Sequence, residues 1–331
     1  MNNLKILITG ASGFIGTNLV VHFSSLGYTV RNFDIVTPKD KEYISLWHRV
    51  DITNYDIFMQ GTKEFSPDYI IHLAARTDLN GKNAGAYSAN TIGVDNLLKI
   101  VQQLPNLKKI LITSSMLVCG LGYKPDDQFD YHPTTVYGES KVITEKNVWN
   151  NKPPCDWAIL RPTSIWGEWF DIPYKNFFDM VIARRYFHID EKSCTKTYGY
   201  VGNAAYQIER ILLSNTTDES NKVFYIGDYQ RTNIEEWANE IADELNYKIL
   251  TVPYFLVFIA ALCGDLLKKL RISFPMTTFR LHNMTTDNIV DLSNTTLLAP
   301  RLPYSRIQGI KRTLKWIKKE CVFIPPPTVY R

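Results

Sequence analysis

The chain has 331 residues, of which 45% are hydrophobic, 13% aromatic and 21% charged. That composition excludes a disordered tail protein, a collagen and a disulfide miniature, and the length suits a large α/β domain or a core with a lobe grafted on. Lys and Arg number 37 against 33 Asp and Glu, a net charge of +4 spread without a polybasic block, so the balance gives no signal for nucleic acid or an anionic membrane.

The amino terminus enters a short apolar strand without the h-region of a signal peptide. The five cysteines, Cys119, Cys155, Cys194, Cys263 and Cys321, form no close pair and read as buried thiols in a reducing cytosol, so a cytoplasmic location is expected. The sequons at Asn215, Asn283 and Asn294 are then chance.

In chain order, LKILIT (4–9) has the length and apolar continuity of a buried parallel strand, and a glycine turn leads from it into helical spacing from Phe14 to Phe23. TVRNFD (29–34) is a second strand and YIIHLAA (69–75) a third. A helix over Asn90–Leu104, the strand KKILITSS (108–115), a helix over Gly138–Trp149 and the strand WAILRP (157–162) follow. The segment WGEWFDIPYKNFF (166–178) breaks the pattern, and its aromatic residues can stack a base or form core. The chain returns to the sheet through a helix at Ala204–Leu213 and the strand KVFYIG (222–227). An amphipathic helix at Ile234–Leu245 comes next.

The apolar run Val252–Cys263 is too short to span a bilayer. It reads first as a buried helix, with a surface helix that touches a membrane or a partner as the alternative, because Lys268, Lys269 and Arg271 follow it. GIKRTLKWIKKE (309–320) is a closing basic amphipathic helix, and Pro325, Pro326 and Pro327 make the tail extended. The alternation predicts an α/β fold: a Rossmann-type doubly wound parallel sheet with a smaller, mixed carboxyl-terminal substrate lobe. Residues 1–165 would form the dinucleotide-binding domain, rejoined at about 202–227. Residues 166–201 and 228–331 would form the lobe.

ITGASGFIG places Gly10, Gly13 and Gly16 between strand and helix, where backbone N–H groups at a helix N-terminus face a pyrophosphate and side chains would block its approach. Ser12, Phe14 and Ile15 belong to the same turn. Asp34 ends the second strand 18 residues after Gly16, where a carboxylate accepts both ribose hydroxyls and repels a 2′-phosphate, which points to NAD rather than NADP. Arg31 lies nearby but, by strand alternation, points away from that spot. Asp51, next to Ile52, meets an adenine amino group or caps the helix that begins at Tyr55.

Further on, Tyr137 and Lys141 stand one helical turn apart, so both can face the cofactor cleft, with Ser115 at a strand end upstream. A phenol ordinarily titrates near 10, and a neighbouring ammonium stabilises its phenolate. That fits Tyr137 for general acid/base work, Ser115 for holding a substrate hydroxyl, and Lys141 for the nicotinamide ribose.

With GASGFIG and Asp34, HLAA at 72–75, NTIGVDNLL from Asn90, TSSMLVCG at 113–120, YGESK at 137–141 and RPTSIWG at 161–167, the sequence resembles the extended short-chain dehydrogenase/reductases of the nucleotide-sugar epimerase/dehydratase family. The resemblance implies a catalytic triad of Ser115, Tyr137 and Lys141. It implies a cofactor site that takes in Leu73, Ala74, Ala75, Asn90, Thr113 and the stretch from Pro162 to Ser164. For the substrate, a nucleotide-diphosphate sugar, it implies Asn176 and Arg280, with Met116 beside Ser115. The diphosphate needs cations, and Lys175, Lys196, Arg231 and Arg280 are the candidates, with Arg280 best placed.

Dehydratases of that family carry an Asp-Glu pair after the catalytic Ser or Thr, and the 3,5-epimerising reductases a Cys. Here Met116 and Leu117 follow Ser115. The expected activity is therefore an NAD-dependent 4-epimerase in surface polysaccharide precursor synthesis. The alternatives are a C4 dehydrogenase or 4-keto reductase with exchanging cofactor and a non-catalytic NAD-binding scaffold. No histidine pair has metal-ligand spacing and the chemistry calls for no metal. The family's four-helix packing implies a homodimer through Gly93–Leu104 and Gly138–Trp149.

Overall fold

The computed structural model describes residues 4–321 apart from 173, 216–220, 271, 273 and 275. The expected extended tail with Pro325–Pro327, Arg271 and the side chain of Cys321 lie outside the described residues. The first half runs β1 (Lys5–Thr9), α1 (Phe14–Ser25), β2 (Thr29–Asp34), β3 (Trp47–Arg49), α2 (Tyr55–Phe65), β4 (Tyr69–His72), α3 (Ser88–Val101), β5 (Lys109–Thr113), α4 (Val136–Asn151) and β6 (Asp156–Pro162). The second half runs β7 (Ser164–Trp166), α5 (Tyr174–Ile182), β8 (Phe187–Ile189), β9 (Thr195–Lys196), β10 (Tyr198–Tyr200), α6 (Val201–Leu213), β11 (Val223–Ile226), β12 (Thr232–Asn233), α7 (Ile234–Asp243), β13 (Leu250–Val252), α8 (Tyr254–Lys269), α9 (Thr278–Thr285), α10 (Ser293–Leu298) and α11 (Arg306–Cys321).

Seven strands form one parallel sheet in the order β11-β6-β5-β4-β1-β2-β3. The order reverses between β1 and β4, and a doubly wound sheet opens its ligand crevice at the carboxyl ends of such a pair. Both faces are covered. Ile6 and Ile8 of β1 join the core built with Leu19 and Phe23 of α1 and Ile208 and Ile211 of α6, while Leu7 joins Phe58 of α2, Leu97 of α3 and Val148 of α4. That two-sided burial is why the strands read as unbroken apolar runs. The third strand ends at His72, three residues earlier than its apolar run, because after Leu73 donates its N–H to the Thr9 carbonyl the chain leaves the sheet beside Gly10.

Two readings left open are narrowed and one expectation is corrected. The aromatic segment after β6 is core: Trp166, Phe170 and Phe178 are almost fully buried, and Trp237 stacks on Phe177 at 4.6 Å between ring centroids. Asp51 does not cap α2. Asn54 does, accepting from the Ile57 N–H, while Asp51 turns back to the N–H and hydroxyl of Thr53. The apolar run at 252–263 is a surface helix: of α8 only Val257, Ala261 and Gly264 are buried, and Cys263, expected as a buried thiol, lies exposed on its outer side. The reason is packing. The small residues of α8 make the close approach to the rest of the fold, so the bulky ones are left outside.

The sheet also buries charge. Arg161 on β6 and Glu145 on α4 are 1% and 0% exposed and form a two-pronged pair, Nε to Oε1 at 2.9 Å and Nη2 to Oε2 at 2.7 Å. The Tyr225 hydroxyl, the Gln128 carbonyl and the Tyr131 hydroxyl complete the network. Breaking one side of a buried pair strands the other charge. Arg161→Met should therefore cost about 3 to 5 kcal/mol in urea unfolding, and the double change Arg161→Met with Glu145→Met should recover most of that loss.

Candidate active site at the switch point of the sheet

The turn after β1 is built on backbone contact. Gly10 has φ +70°, and a Cβ there would lie 2.5 Å from the Ala74 nitrogen; at Gly16 it would lie 2.4 Å from the Gly10 carbonyl oxygen. Only glycine fits both places. Helix α1 starts at Gly13 without a side-chain cap and without an acidic residue in its first turn, so its N-terminal N–H groups and dipole face the crevice. Asp34 closes the turn, accepting the Ser12 N–H at 3.0 Å and the Val36 N–H at 3.1 Å. Burial raises its carboxyl above the usual range, and the backbone donors of Val36, Ser12 and Ile35 act the other way. Arg31 lies over the Phe65 ring at 4.4 Å, away from Asp34.

Across the crevice, α4 buries Tyr137, Ser140, Lys141, Thr144 and Glu145 along one stripe. Lys141 donates to the Thr113 carbonyl at 2.8 Å and holds its ammonium 6.0 Å from the centre of the Tyr137 ring. Burial lowers Lys141 to about 8, opposed by the charge of Glu145, and raises Tyr137 to about 12, opposed by its hydrogen bond to Ser115. Ser115 starts the short turn Met116–Val118 and accepts the Leu117 N–H at 3.1 Å. The chain thus brings Ser115, Tyr137 and Lys141 together at the carboxyl ends of β5 and β6, beside the glycine turn.

Asn90 is fully buried and spends its amide on the fold, accepting the Arg76 N–H at 2.8 Å and donating to Ser140 Oγ at 2.9 Å, so it fastens the loop after β4 to α4. Ile52 is buried beneath α3, where Asn96 Nδ2 donates to the Ile52 and Thr53 carbonyls. Leu73, Ala74 and Ala75 are half-buried at the edge of the turn, and Ser164, beyond Pro162, accepts the Tyr174 hydroxyl at 3.0 Å.

The outer residues are spread wider. Lys196 on β9 donates to the Asn283 carbonyl of α9 at 2.6 Å, and Arg280 lies exposed on that same helix. Asn176 is exposed on α5, and Lys175 beside it pairs with Asp179. Met116 touches Asn288 through its sulfur at 3.9 Å. Next to that contact opens a cleft of about 1000 Å³ whose lining includes Lys124, Thr197, Asp228, Tyr229, Arg231 and Val290. Asp228 and Lys124 escaped the sequence reading. A lone Asp after a strand and a lysine in a loop carry no signal until the fold sets them along the same cleft as Arg231. Asp228 is pushed up to about 6 by burial, with Asn203 and the Tyr200 N–H answering its oxygens. Arg161 and Glu145 were missed too, although an arginine inside an apolar strand demands a buried partner.

The residues fit a nicotinamide dinucleotide. A Cβ is excluded from the turn, α1 offers an uncapped N-terminus, and His72 Nε2, Thr113 Oγ1 and Ser114 Oγ are buried polar atoms without a hydrogen-bond partner around the same strand ends. His72 Nδ1 and Thr9 Oγ1 share a hydrogen bond at 2.8 Å, and burial with the charge of Lys141 lowers the imidazole to about 3, so it stays neutral.

Such a turn, acidic strand end and Ser, Tyr, Lys set on a doubly wound sheet define a dinucleotide-dependent enzyme of the extended short-chain dehydrogenase/reductase type. The model of the NAD dependent epimerase/dehydratase family matches residues 6–227, and the chain belongs to that family, with NAD as its cofactor. It is 27% identical over 324 residues to the N-acetyl-alpha-D-glucosaminyl-diphospho-ditrans,octacis-undecaprenol 4-epimerase of Escherichia coli O157:H7, with 95% of each chain covered. It is 27% identical over 256 residues to a 3-beta-hydroxysteroid dehydrogenase of Mycolicibacterium neoaurum, covering 72% of this chain and 69% of that one. The fold matches a UDP-glucose 4-epimerase of Thermotoga maritima, solved with UDP-glucose, at TM-score 0.73 and 20% identity, covering 96% of this chain and 100% of that one.

Because Lys141 keeps its proton only below about 8, NAD affinity measured by calorimetry should weaken as the pH rises past that value. Lys141→Met should bind more weakly throughout and lose this pH dependence.

Proposed function

We propose that this protein is a 4-epimerase acting on a sugar carried by a diphosphate. The observation that carries the reading is the chemistry beside Ser115: Tyr137 and Lys141 are assembled for one proton transfer, and the residues that follow, Met116 and Leu117, offer no second acid or base. Elimination of water needs that second pair. Epimerisation at one carbon does not.

In this reading Ser115 holds the C4 hydroxyl against the Tyr137 oxygen, and the phenolate form of Tyr137 takes its proton. The Lys141 ammonium lowers the cost of that phenolate and anchors the cofactor ribose. Bound NAD supplies a reversible acceptor for the C4 hydride. Tyr137 then returns the proton to the C4 oxygen once the keto sugar has presented its other face. Gly10, Ser12, Gly13, Phe14, Ile15, Gly16 and Asp34 hold the dinucleotide, with Thr113 and Ser164 lining the nicotinamide end. Lys196, Arg280 and Arg231 are the cations for the diphosphate, and residues 166–201 and 228–321 supply the substrate side.

The carrier is a nucleotide or a polyprenol, the latter favoured by the relative from Escherichia coli, whose name specifies an undecaprenol diphosphate. The setting is the cytoplasmic synthesis of surface polysaccharide precursors. A second reading, a C4 dehydrogenase whose cofactor exchanges, is favoured by the match to a hydroxysteroid dehydrogenase. We further propose a homodimer through the outer faces of α3 and α4, where Ile92 and Ile143 are exposed. Ile143→Glu should then convert a dimer to a monomer in sedimentation velocity.

Mass spectrometry of the denatured protein is expected to release near-stoichiometric NAD or NADH, as a cofactor recycled within one turnover requires. An empty protein that binds NAD reversibly would move the assignment to the dehydrogenase. Tyr137→Phe should keep its cofactor and lose about 10²- to 10⁴-fold in kcat; full turnover in that variant would overturn the mechanism.

A further inference from the structure

Helix α8 turns its small residues inward and its large ones outward. Val257, Ala261 and Gly264 form the buried stripe, and a Cβ on Gly264 would lie 1.7 Å from the Met276 carbonyl oxygen, so only glycine allows this approach. On the other side Phe255, Ile259, Leu262 and Leu266 are 61%, 53%, 49% and 61% exposed. Their spacing puts them on one continuous stripe along the helix. Phe279 on α9 adds a side chain 74% exposed. Almost half of the exposed large apolar side chains among the described residues fall between residues 250 and 279. A surface helix of a globular protein keeps its apolar stripe for the core, and a contiguous exposed patch marks an interaction site.

The charges around the stripe identify its occupant. Between Tyr254 and Leu267 the helix has a single ionisable side chain other than Tyr254 and Cys263, Asp265, and that carboxylate turns away to receive the N–H and hydroxyl of Thr278 at the start of α9. The carboxyl end is basic, and at the first end Lys192 stands beside the exposed acids Asp190 and Glu191. Lys268 and Lys269 close the last turn, and Lys192 holds its ammonium 5.4 Å from the ring centre of Tyr254 at the first. An apolar middle with a cationic carboxyl end suits acyl chains bordered by anionic headgroups. Sixteen residues span about 24 Å, less than the roughly 30 Å of a hydrocarbon core, and no described helix is long and apolar enough to cross a membrane. The helix would lie in the interface plane. The platform also reaches the cleft: Asn283 of α9 takes the Lys196 ammonium, and Asn288 touches Met116 next to Ser115.

We propose that α8, with Phe279 of α9, seats this protein on an anionic phospholipid bilayer, so that the diphosphate sugar is taken from a lipid carrier at the membrane surface. The choice of carrier rests on the reading of the site as a 4-epimerase; the docking does not.

The test is cosedimentation of the purified full chain, without detergent, with phosphatidylcholine vesicles and with vesicles that also contain phosphatidylglycerol. Wild type should pellet with the anionic vesicles. Ile259→Glu with Leu262→Glu should lower partitioning at least about tenfold, and Lys268→Glu should lower it about fivefold on anionic vesicles only. An unchanged thermal midpoint in each variant shows that the fold is intact. Wild type left in the supernatant with both vesicle types, or variants that pellet as well as wild type, would overturn the docking. So would a loss of mass in sedimentation velocity caused by the Ile259 and Leu262 changes, which would assign the stripe to a second copy of the chain. Vesicle binding by a protein without NAD or epimerase activity would refute the reading of the site and leave the docking intact. An active epimerase that prefers soluble nucleotide sugars over lipid-linked ones would refute the carrier.

Discussion

Glu145 has no access to water, and much of the site depends on how its charge is answered. A carboxylate in that position must be paired, and Arg161 pairs with it through two parallel hydrogen bonds from the neighbouring strand. The pair fixes the rotation and register of α4 against the sheet. Lys141, one turn earlier on the same stripe, adds a second tie through the Thr113 carbonyl. With α4 held at two points, Tyr137 comes to the strand ends beside Ser115. The burial that demands the ion pair also tunes the site, because it lowers the ammonium and raises the phenol. At neutral pH the pair therefore rests as an ammonium beside a neutral phenol.

The opposite wall of the crevice uses backbone where α4 uses charge. Gly10 approaches Ala74 more closely than any Cβ allows, and Asp34 is joined to the same turn through the Ser12 N–H. Glycine turn, helix N-terminus and acidic strand end thus form one hydrogen-bonded unit at the point where the sheet order reverses. A dinucleotide needs that combination: close approach for its diphosphate, a positive helix end, and an acceptor for its ribose.

Beyond β6 the molecule is organised by different means. Apart from β11, which joins the main sheet, its strands are two or three residues long and pair in twos, and stability comes from the cluster of Trp166, Phe170, Phe177, Phe178 and Trp237. The cations proposed for the diphosphate, Lys196, Arg280 and Arg231, are set on this side. The same part of the chain carries the exposed stripe of α8. Chemistry and a membrane-facing surface are thereby built from adjoining elements, with Asn283 and Asn288 as the links between them.

The parallel sheet, the glycine turn and the spacing of Tyr137 and Lys141 were legible in the sequence because each rests on a short-range rule. Buried parallel strands are continuous apolar runs, α1 has helical periodicity, and the glycine turn and the spacing of Tyr137 and Lys141 are local. The aromatic segment was ambiguous by composition, and only the arrival of Trp237 from a distant helix made it core. Asp228 and Lys124 carry no local pattern, and Glu145 acquires its meaning only when Arg161 is placed opposite. By itself the sequence determined the doubly wound sheet, the glycine turn with Asp34, and the Ser115, Tyr137 and Lys141 set. Tertiary structure decided which side of α8 faces outward, because a helix with no charged residue before Asp265 has no polar face to orient its first turns, and close packing at Ala261 and Gly264 makes the choice.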